Sequence, residues 1–469
     1  MSSIYQKKTI SESQVLGSKY DYSACSGRMA QYAFISPTNG EVTIEGVFQK
    51  IGDFRNEKTY KEYKDCGFDV MLILGNDKYK GEEFNGSELQ KNLDLCQKVG
   101  LKCIAFDERL HNLTMETQSL IGRLYPTFND LVEYVRSCLE PYRHHPAFYG
   151  VTLYDEPRFQ HLTAVGEITR AVKAVDENIF VHTCMLPYFA SVDYGLLDFR
   201  TSLQGGTDED TTTAYKKYIG THLDNTGASY IAYDNYPIFI SRGETCICFT
   251  YFHNLQMVAN VAKERGAKLD LTIQTYADTN TEMRLCDQDD IRFQAYSALA
   301  FGAMNVSYFT YFMFPTRGKN CGICQAIMDD YGNKILYYET KRVNEIAQKI
   351  YAVTSNFVYN GTNLYSAGEE PQLFNLVERT DFEDVKSVSV TLPTLVNRLY
   401  DDKRGVNAYM VINAEDVAKK LNDRVKIEFN GKTKAVVYVD GDPSFVVLDD
   451  GKLTLDVSCG DGVLIIPID

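Results

Sequence analysis

At 469 residues the chain is too long for one ordinary core, and suits a barrel of about 250 residues or more followed by one smaller domain. Apolar residues at 44% and charged residues at 24% exclude a disordered chain, and no run approaches the ~20 consecutive apolar residues of a membrane helix. A net charge of −15, without a Lys/Arg cluster longer than a few residues, excludes phosphate-driven nucleic-acid binding and favours a neutral ligand.

Residues 1–29 read as an N-terminal extension. The opening stretch MSSIYQKKTISESQ lacks the apolar core of a secretory signal. The 12 cysteines are scattered, many inside apolar runs such as DLCQKVG, LKCIAF and VHTCML, where a reduced cysteine behaves as a small core residue. The expected location is therefore the cytoplasm. With 33 Tyr, 25 Phe and no Trp, any flat platform for a ligand has to be Tyr or Phe.

Across 30–353, short β-rich runs alternate with amphipathic helical ones. The β-like runs are QYAFIS (31–36), FDVMLIL (68–74), LKCIAF (101–106), FYGVTLY (148–154), IFVHTCML (179–186), SYIAY (229–233), KLDLTIQTY (268–276) and NVSYFTYF (305–312). Helical patterns lie between them, with apolar residues at three- and four-residue spacing and glycine at several ends. Strands apolar on both faces and alternating with helices predict a (β/α)₈ TIM barrel. A doubly wound sheet is disfavoured because no Gly-rich turn follows the first run. From 354 to 469 short alternating strands are broken by Asn-Gly, Asp-Gly and Gly-Asp turns, the pattern of a small antiparallel β-sandwich. AEDVAKKLNDR, within this part, reads as a polar hairpin insertion.

Barrels of this kind work from the C-terminal ends of their strands. Those ends carry Asp107 after the third run, Asp155 and Glu156 after the fourth, Asp234 and Tyr236 after the sixth, Gln274 and Tyr276 in the seventh, and Tyr308 and Tyr311 in the eighth. Paired carboxylates suit glycoside hydrolysis, one protonating the departing oxygen while the other attacks or activates water. Adjacent residues on a strand point to opposite faces, so Asp155 and Glu156 share the mouth only if the strand has already ended. Asp234, two strands away, is the expected partner, at a separation nearer inverting than retaining geometry.

Each position has a bland reading too. Asp107 binds a hydroxyl or caps the next helix. Asp155 orients Glu156, binds a hydroxyl, or pairs with an arginine. Gln274 needs a buried partner, either a sugar hydroxyl or a carboxylate. The tyrosines stack on sugar or fill the barrel, and His182 reads as a core histidine. Cys246, Cys248, Cys321 and Cys324 form two close pairs, a weak signature for structural zinc. The reading calls for no cofactor and no catalytic metal.

In their order, GVTLYDEP, YIAYDNYP, YFHNLQMVANVAKERG, LTIQTYA and RFQAYSALAFGAMNVSYFTYF resemble the TIM-barrel glycoside hydrolases that include the family 42 β-galactosidases and the wider clan A. The resemblance implies a carbohydrate substrate, with Glu156 as acid/base and Asp155 where that clan carries Asn. It also places the strand-7 nucleophile at Gln274, where an amide cannot form a glycosyl ester. Three ways out follow: Asp234 serves as base or nucleophile, Glu282 reaches in, or the barrel binds sugar without cleaving it. An adjacent-acid metal site of a lyase or isomerase fits less well, since no His follows at suitable spacing.

Overall fold

The computed structural model describes residues 17–37, 41–44, 47–50, 54–74, 77–193, 208–241, 243–278, 282–313, 324–329 and 331–469. Its centre is one sheet of seven parallel strands: β1 (Val70–Leu72), β2 (Lys102–Phe106), β3 (Phe148–Asp155), β4 (Phe180–Met185), β5 (Tyr230–Asp234), β6 (Lys268–Gln274) and β7 (Ala303–Phe309), hydrogen-bonded in chain order. Eight long helices accompany them: α1 (Glu57–Asp65), α2 (Glu88–Val99), α3 (Phe128–Leu139), α4 (Leu162–Val175), α5 (Asp208–Thr226), α6 (Tyr251–Glu264), α7 (Gln288–Ala300) and α8 (Tyr337–Thr354). All eight fall on helical patterns read from the sequence.

Local chemistry sets several helix ends. Thr127 starts α3 with a capping box, its hydroxyl accepting from Asp130 N while the Asp130 carboxylate accepts from Thr127 N. Asp287 and Asp290 do the same for α7. Ser87 caps α2, which stops at Gly100 in the left-handed region with φ 77°.

The sheet is curled. Val70 and Leu72 of one edge strand share an apolar cluster with Phe309 of the other, together with Tyr32, Phe34, Ile104 and Cys184. Six strand spacings would hold those edges about 29 Å apart in a flat sheet, so the cluster lies inside the curl. A larger cluster packs the other face of the sheet against the helices.

The expected first strand differs from the other seven. Residues 31–36 make no ladder of their own, only a single parallel bridge from Ala33 to Tyr308. Even so, the segment bonds to both edges: Phe34 N donates to Tyr308 O (2.8 Å), Tyr308 N to Tyr32 O (3.1 Å), and Asp69 N and Val70 N both donate to Gln31 O. Ile35, with φ 52°, leaves extended geometry and cuts the segment short.

The C-terminal part is antiparallel. A six-stranded sheet runs Val358–Tyr365, Thr394–Asp401, Val406–Asn413, Gly462–Ile468, Lys434–Val439, Asp442–Val447; a three-stranded sheet pairs Val385–Ser389, Asp423–Phe429 and Lys452–Val457. Val396, Val411, Val425, Ile427, Leu455 and Ile465 from the two sheets share one apolar cluster. The large cluster around the helices also takes in Leu395, Leu399, Met410 and Leu464 of the six-stranded sheet, so both parts of the chain share a core.

AEDVAKKLNDR corrects its sequence reading. It contains a short 3₁₀ turn, Val417–Lys419, whose Val417 is fully buried and whose carbonyl accepts from the Cys459 thiol. Lys420 then reaches Asp287 and Asp289 at the start of α7. The segment is a tie between the two parts, which its polar composition hid.

Candidate active site

The site is built at the end of β3, and Gly150 is its first requirement. A Cβ there would meet Phe180 O at 2.0 Å, so only glycine lets β3 lie against β4. Two residues on, Thr152 pairs with His182 in register, and its hydroxyl meets His182 Nδ1 at 2.9 Å. The register then shifts: Tyr154 lies opposite Thr183 and Asp155 opposite Cys184. One extra residue in β3 has re-aimed the strand. Cys184 belongs to the cluster inside the curl, so its partner Asp155 turns to that side, while Tyr154 turns away and stacks on His161 at 5.2 Å.

Glu156 ends the strand. Its N–H donates to Cys184 O (2.8 Å) and its φ is 57°, left-handed for a residue with a side chain, which costs about 1–2 kcal/mol. Pro157 follows, its carbonyl fixed by the buried Tyr218 hydroxyl at 2.6 Å. The alternation that would have sent Glu156 to the opposite face from Asp155 has therefore stopped.

Asp234 ends β5, with β4 between it and β3. Two strand spacings put the backbones about 9–10 Å apart. The three carboxylates nevertheless sense one another. Burial, then the Glu156 charge, pushes Asp155 up to about 7. Burial raises Glu156. Asp234 is held well above the carboxylate range by burial and then by Glu156 and Asp155, with the Tyr236 hydroxyl acting in the opposite direction. Asp155 and Glu156 have open surface, whereas Asp234 is only 4% exposed. Protein packed around the strand ends displaces bulk water from the carboxyl groups, while Asp155 and Glu156 keep surface that a small molecule reaches. Asp234 Oδ1 is buried without a hydrogen-bond partner among the described residues.

Aromatic rings flank the acids. Tyr236 stacks on Phe309 (5.5 Å, 29°), and Tyr276 meets the same ring edge-on (5.5 Å, 67°). Phe309 was not anticipated. Its signal was the parity of β7: Ser307 Oγ meets Thr272 Oγ1 and the Asp270 carboxylate inside the curl, and Phe309 follows two residues later. Cys184, whose buried thiol is raised by burial and then by Asp234, Asp155 and Glu156, was not anticipated either.

Other expected site residues lie elsewhere. Tyr308 has the parity opposite to Phe309, and its hydroxyl donates to Asn344 of α8 (2.6 Å). Tyr311 packs edge-on against Tyr63 (4.8 Å) and Phe68, fully buried. Choosing tyrosines by residue type overrode the alternation of the strand. Gln274 is also fully buried: its side chain accepts from Ile238 N (2.9 Å) and donates to Ile238 O and Tyr276 O. Backbone, not a hydroxyl or carboxylate, fills its needs. Glu282 is exposed, with φ 63°, and its carbonyl accepts from Ile240 N.

His182 is the core histidine expected, with its edge against Tyr32 (5.4 Å); burial pushes its pKa down to about 3 and keeps it neutral. Of the proposed zinc cysteines, Cys321 lies outside the described residues, and Cys248 Sγ contacts Thr250 Oγ1 at 3.3 Å. Among the described residues no group of three or more His, Cys, Asp or Glu is arranged to hold a metal.

Asp107 takes the capping option. It accepts from Arg109 N, pairs with the Arg109 guanidinium (2.7 Å) and accepts from the Tyr142 hydroxyl (2.8 Å), with no exposure. Asp107→Ala is expected to cost about 2–4 kcal/mol in urea unfolding, from the lost cap and the stranded guanidinium. KM should not move; a stable variant with weakened substrate affinity would return Asp107 to the site.

No family model matches the chain, and no curated protein matches it. Solved structures align with most of it. A glycoside hydrolase is 13% identical, with 94% of this chain and 98% of that one covered and a TM-score of 0.48. A family 27 β-L-arabinopyranosidase from Geobacillus stearothermophilus is 10% identical, with 96% and 98% covered and a TM-score of 0.48. A family 5 glycoside hydrolase from Bacteroides vulgatus is 11% identical, with 94% and 95% covered and a TM-score of 0.47.

Proposed function

We propose that the protein is a glycoside hydrolase working by single displacement with inversion. The observation that carries this reading is the pairing of Asp234, buried with an unpartnered oxygen, with Glu156, open to solvent, on strand ends two strands apart. The domains we propose are an extension over 1–29, a (β/α)₈ barrel over 30–353 with residues 31–36 as its first strand, and a β-sandwich over 354–469.

The environments of the two acids divide the labour. A proton donor has to hold its proton near neutral pH, and burial beside two other carboxylates favours this most strongly at Asp234. A general base has to meet water, and Glu156 is the open one. In this reading Asp234 protonates the departing oxygen while Glu156 takes a proton from the water that attacks the anomeric carbon. One carbon–oxygen bond breaks as the other forms, and the roles are the reverse of those expected from the sequence, in which Glu156 is the acid and Asp234 the base. Asp155 binds a substrate hydroxyl, and Tyr236, Phe309 and Tyr276 present apolar faces to the ring. Gln274, committed to Ile238, takes no part in the chemistry.

Screening aryl glycosides and following the first-formed sugar by proton NMR tests this. An inverted anomer is expected. Retention would overturn single displacement, and sugar binding without turnover across the panel would favour a non-catalytic carbohydrate-binding barrel.

A further inference from the structure

The bulge in β3 aims the acids at the end of that strand, and something has to hold it in place. Its extra residue is Leu153: Thr152 lies opposite His182 and Tyr154 opposite Thr183, so Leu153 falls between two rungs. On the other side of β3 the ladder with β2 stops one residue earlier, at Phe106 opposite Thr152. Leu153 is fully buried, and a buried carbonyl at the end of a ladder has to find a donor.

The donor comes from the short helix Glu108–Thr114, which Asp107 caps directly after β2. His111 Nδ1 stands 2.8 Å from Leu153 O, and a carbonyl only accepts, so Nδ1 carries the proton. The buried Thr114 hydroxyl lies 3.3 Å from the same oxygen but 2.7 Å from His111 O, where its single proton is better placed. The histidine is the stronger hold. Its ring is fixed from two sides, by Phe106 at 5.0 Å and by Tyr154 at 5.5 Å, the side chain that the bulge turned away from Asp155.

Resting on the hydrolase reading above, we propose that His111 is a positioning residue for the reaction. Its Nδ1–H pins Leu153 O, keeps the extra residue in β3, and so holds Asp155 to the inside of the curl with Glu156 following it. Without that bond the simplest repair is for Leu153 to pair with Thr183. Tyr154 then takes the place opposite Cys184, and Asp155 leaves the site.

Hydrogen exchange of the full chain, read by mass spectrometry, and a double-mutant cycle test this. In His111→Leu, which keeps bulk and removes the donor, the amides of Tyr154, Asp155 and Glu156 are expected to exchange at least about tenfold faster than in wild type, while those of α3 keep their rates. His111→Asn, whose side-chain amide donates from the δ position, should bring them back to within about threefold of wild type. His111→Gln, with its donor one bond farther out, should not. Asp155→Asn is expected to lower kcat/KM for an aryl glycoside at least about tenfold in the wild-type chain but less than about threefold in His111→Leu, where the carboxylate has already left. A histidine that only stabilised the fold would leave those two effects equal. Wild-type exchange in His111→Leu, no recovery in His111→Asn, or equal effects of Asp155→Asn in the two backgrounds would overturn the proposal. If the leucine variant shows no thermal transition, the same comparisons are read in His111→Gln. Hydrolysis by the wild type together with any of these negative results would sink this inference and leave the hydrolase reading standing. Fast exchange in His111→Leu, recovered in His111→Asn, in a chain that cleaves no glycoside would keep the hold on Leu153 and remove the hydrolase reading.

Discussion

Asp234→Asn is expected to lower kcat/KM for an alkyl glycoside about 10³-fold while leaving a dinitrophenyl glycoside within about tenfold, because an activated leaving group departs without the proton that Asp234 supplies. The same change should stabilise the fold in a pH-dependent way. A carboxyl whose folded pKa is raised favours the native state fully below its unfolded value near 4, and that contribution is lost as pH rises toward the folded value. Asn bears no such cost, so its advantage grows from pH 4.5 to pH 8. We expect a thermal midpoint near wild type at the lower pH and about 1 °C or more above it at the higher, of order 1 kcal/mol. Equal gains at the two pH values would show that Asp234 does not titrate in this way.

Glu156→Gln should behave differently in the same assays. Its loss, again about 10³-fold, is expected for activated and unactivated glycosides alike, since the missing step is water activation, and azide should restore turnover. Loss confined to unactivated glycosides would restore Glu156 as the acid. Glu156→Gly separates chemistry from backbone. Relief at φ 57° is worth about 1–2 kcal/mol, against about 0.5–1 kcal/mol lost to a more flexible unfolded chain. The inactive glycine variant should therefore melt at or above the wild-type temperature.

The eight helices and seven of the strands were legible because periodicity and capping are local properties, written into stretches such as TFNDLVEYV and SELQKNLDLCQKVG. The two acidic strand ends were legible for the same reason: an apolar run stopped at Asp155 and another at Asp234. What escaped was decided by contacts distant in sequence. Tyr308 looked like a sugar platform until its hydroxyl was found on Asn344, and Gln274 looked like a vacant nucleophile position until Ile238 was found against it. The weakness of 31–36 as a strand depends on Ile35 leaving extended geometry, which QYAFIS does not announce. Residue type misled at β7, where strict alternation would have chosen Phe309.

The extra residue between Thr152 and Tyr154 also changes how any relative of this chain has to be judged. Side chains here are aimed by the bulge at Leu153, so a chain in which Leu153 paired with Thr183 would keep Asp155, Glu156 and Asp234 in the sequence and yet move Tyr154 into the place opposite Cys184. An alignment that scored only the acids would pass such a chain as intact. Loss of function can therefore arrive through a change of register that touches no reactive group, and activity is better inferred from the bulge than from an Asp-Glu pair alone.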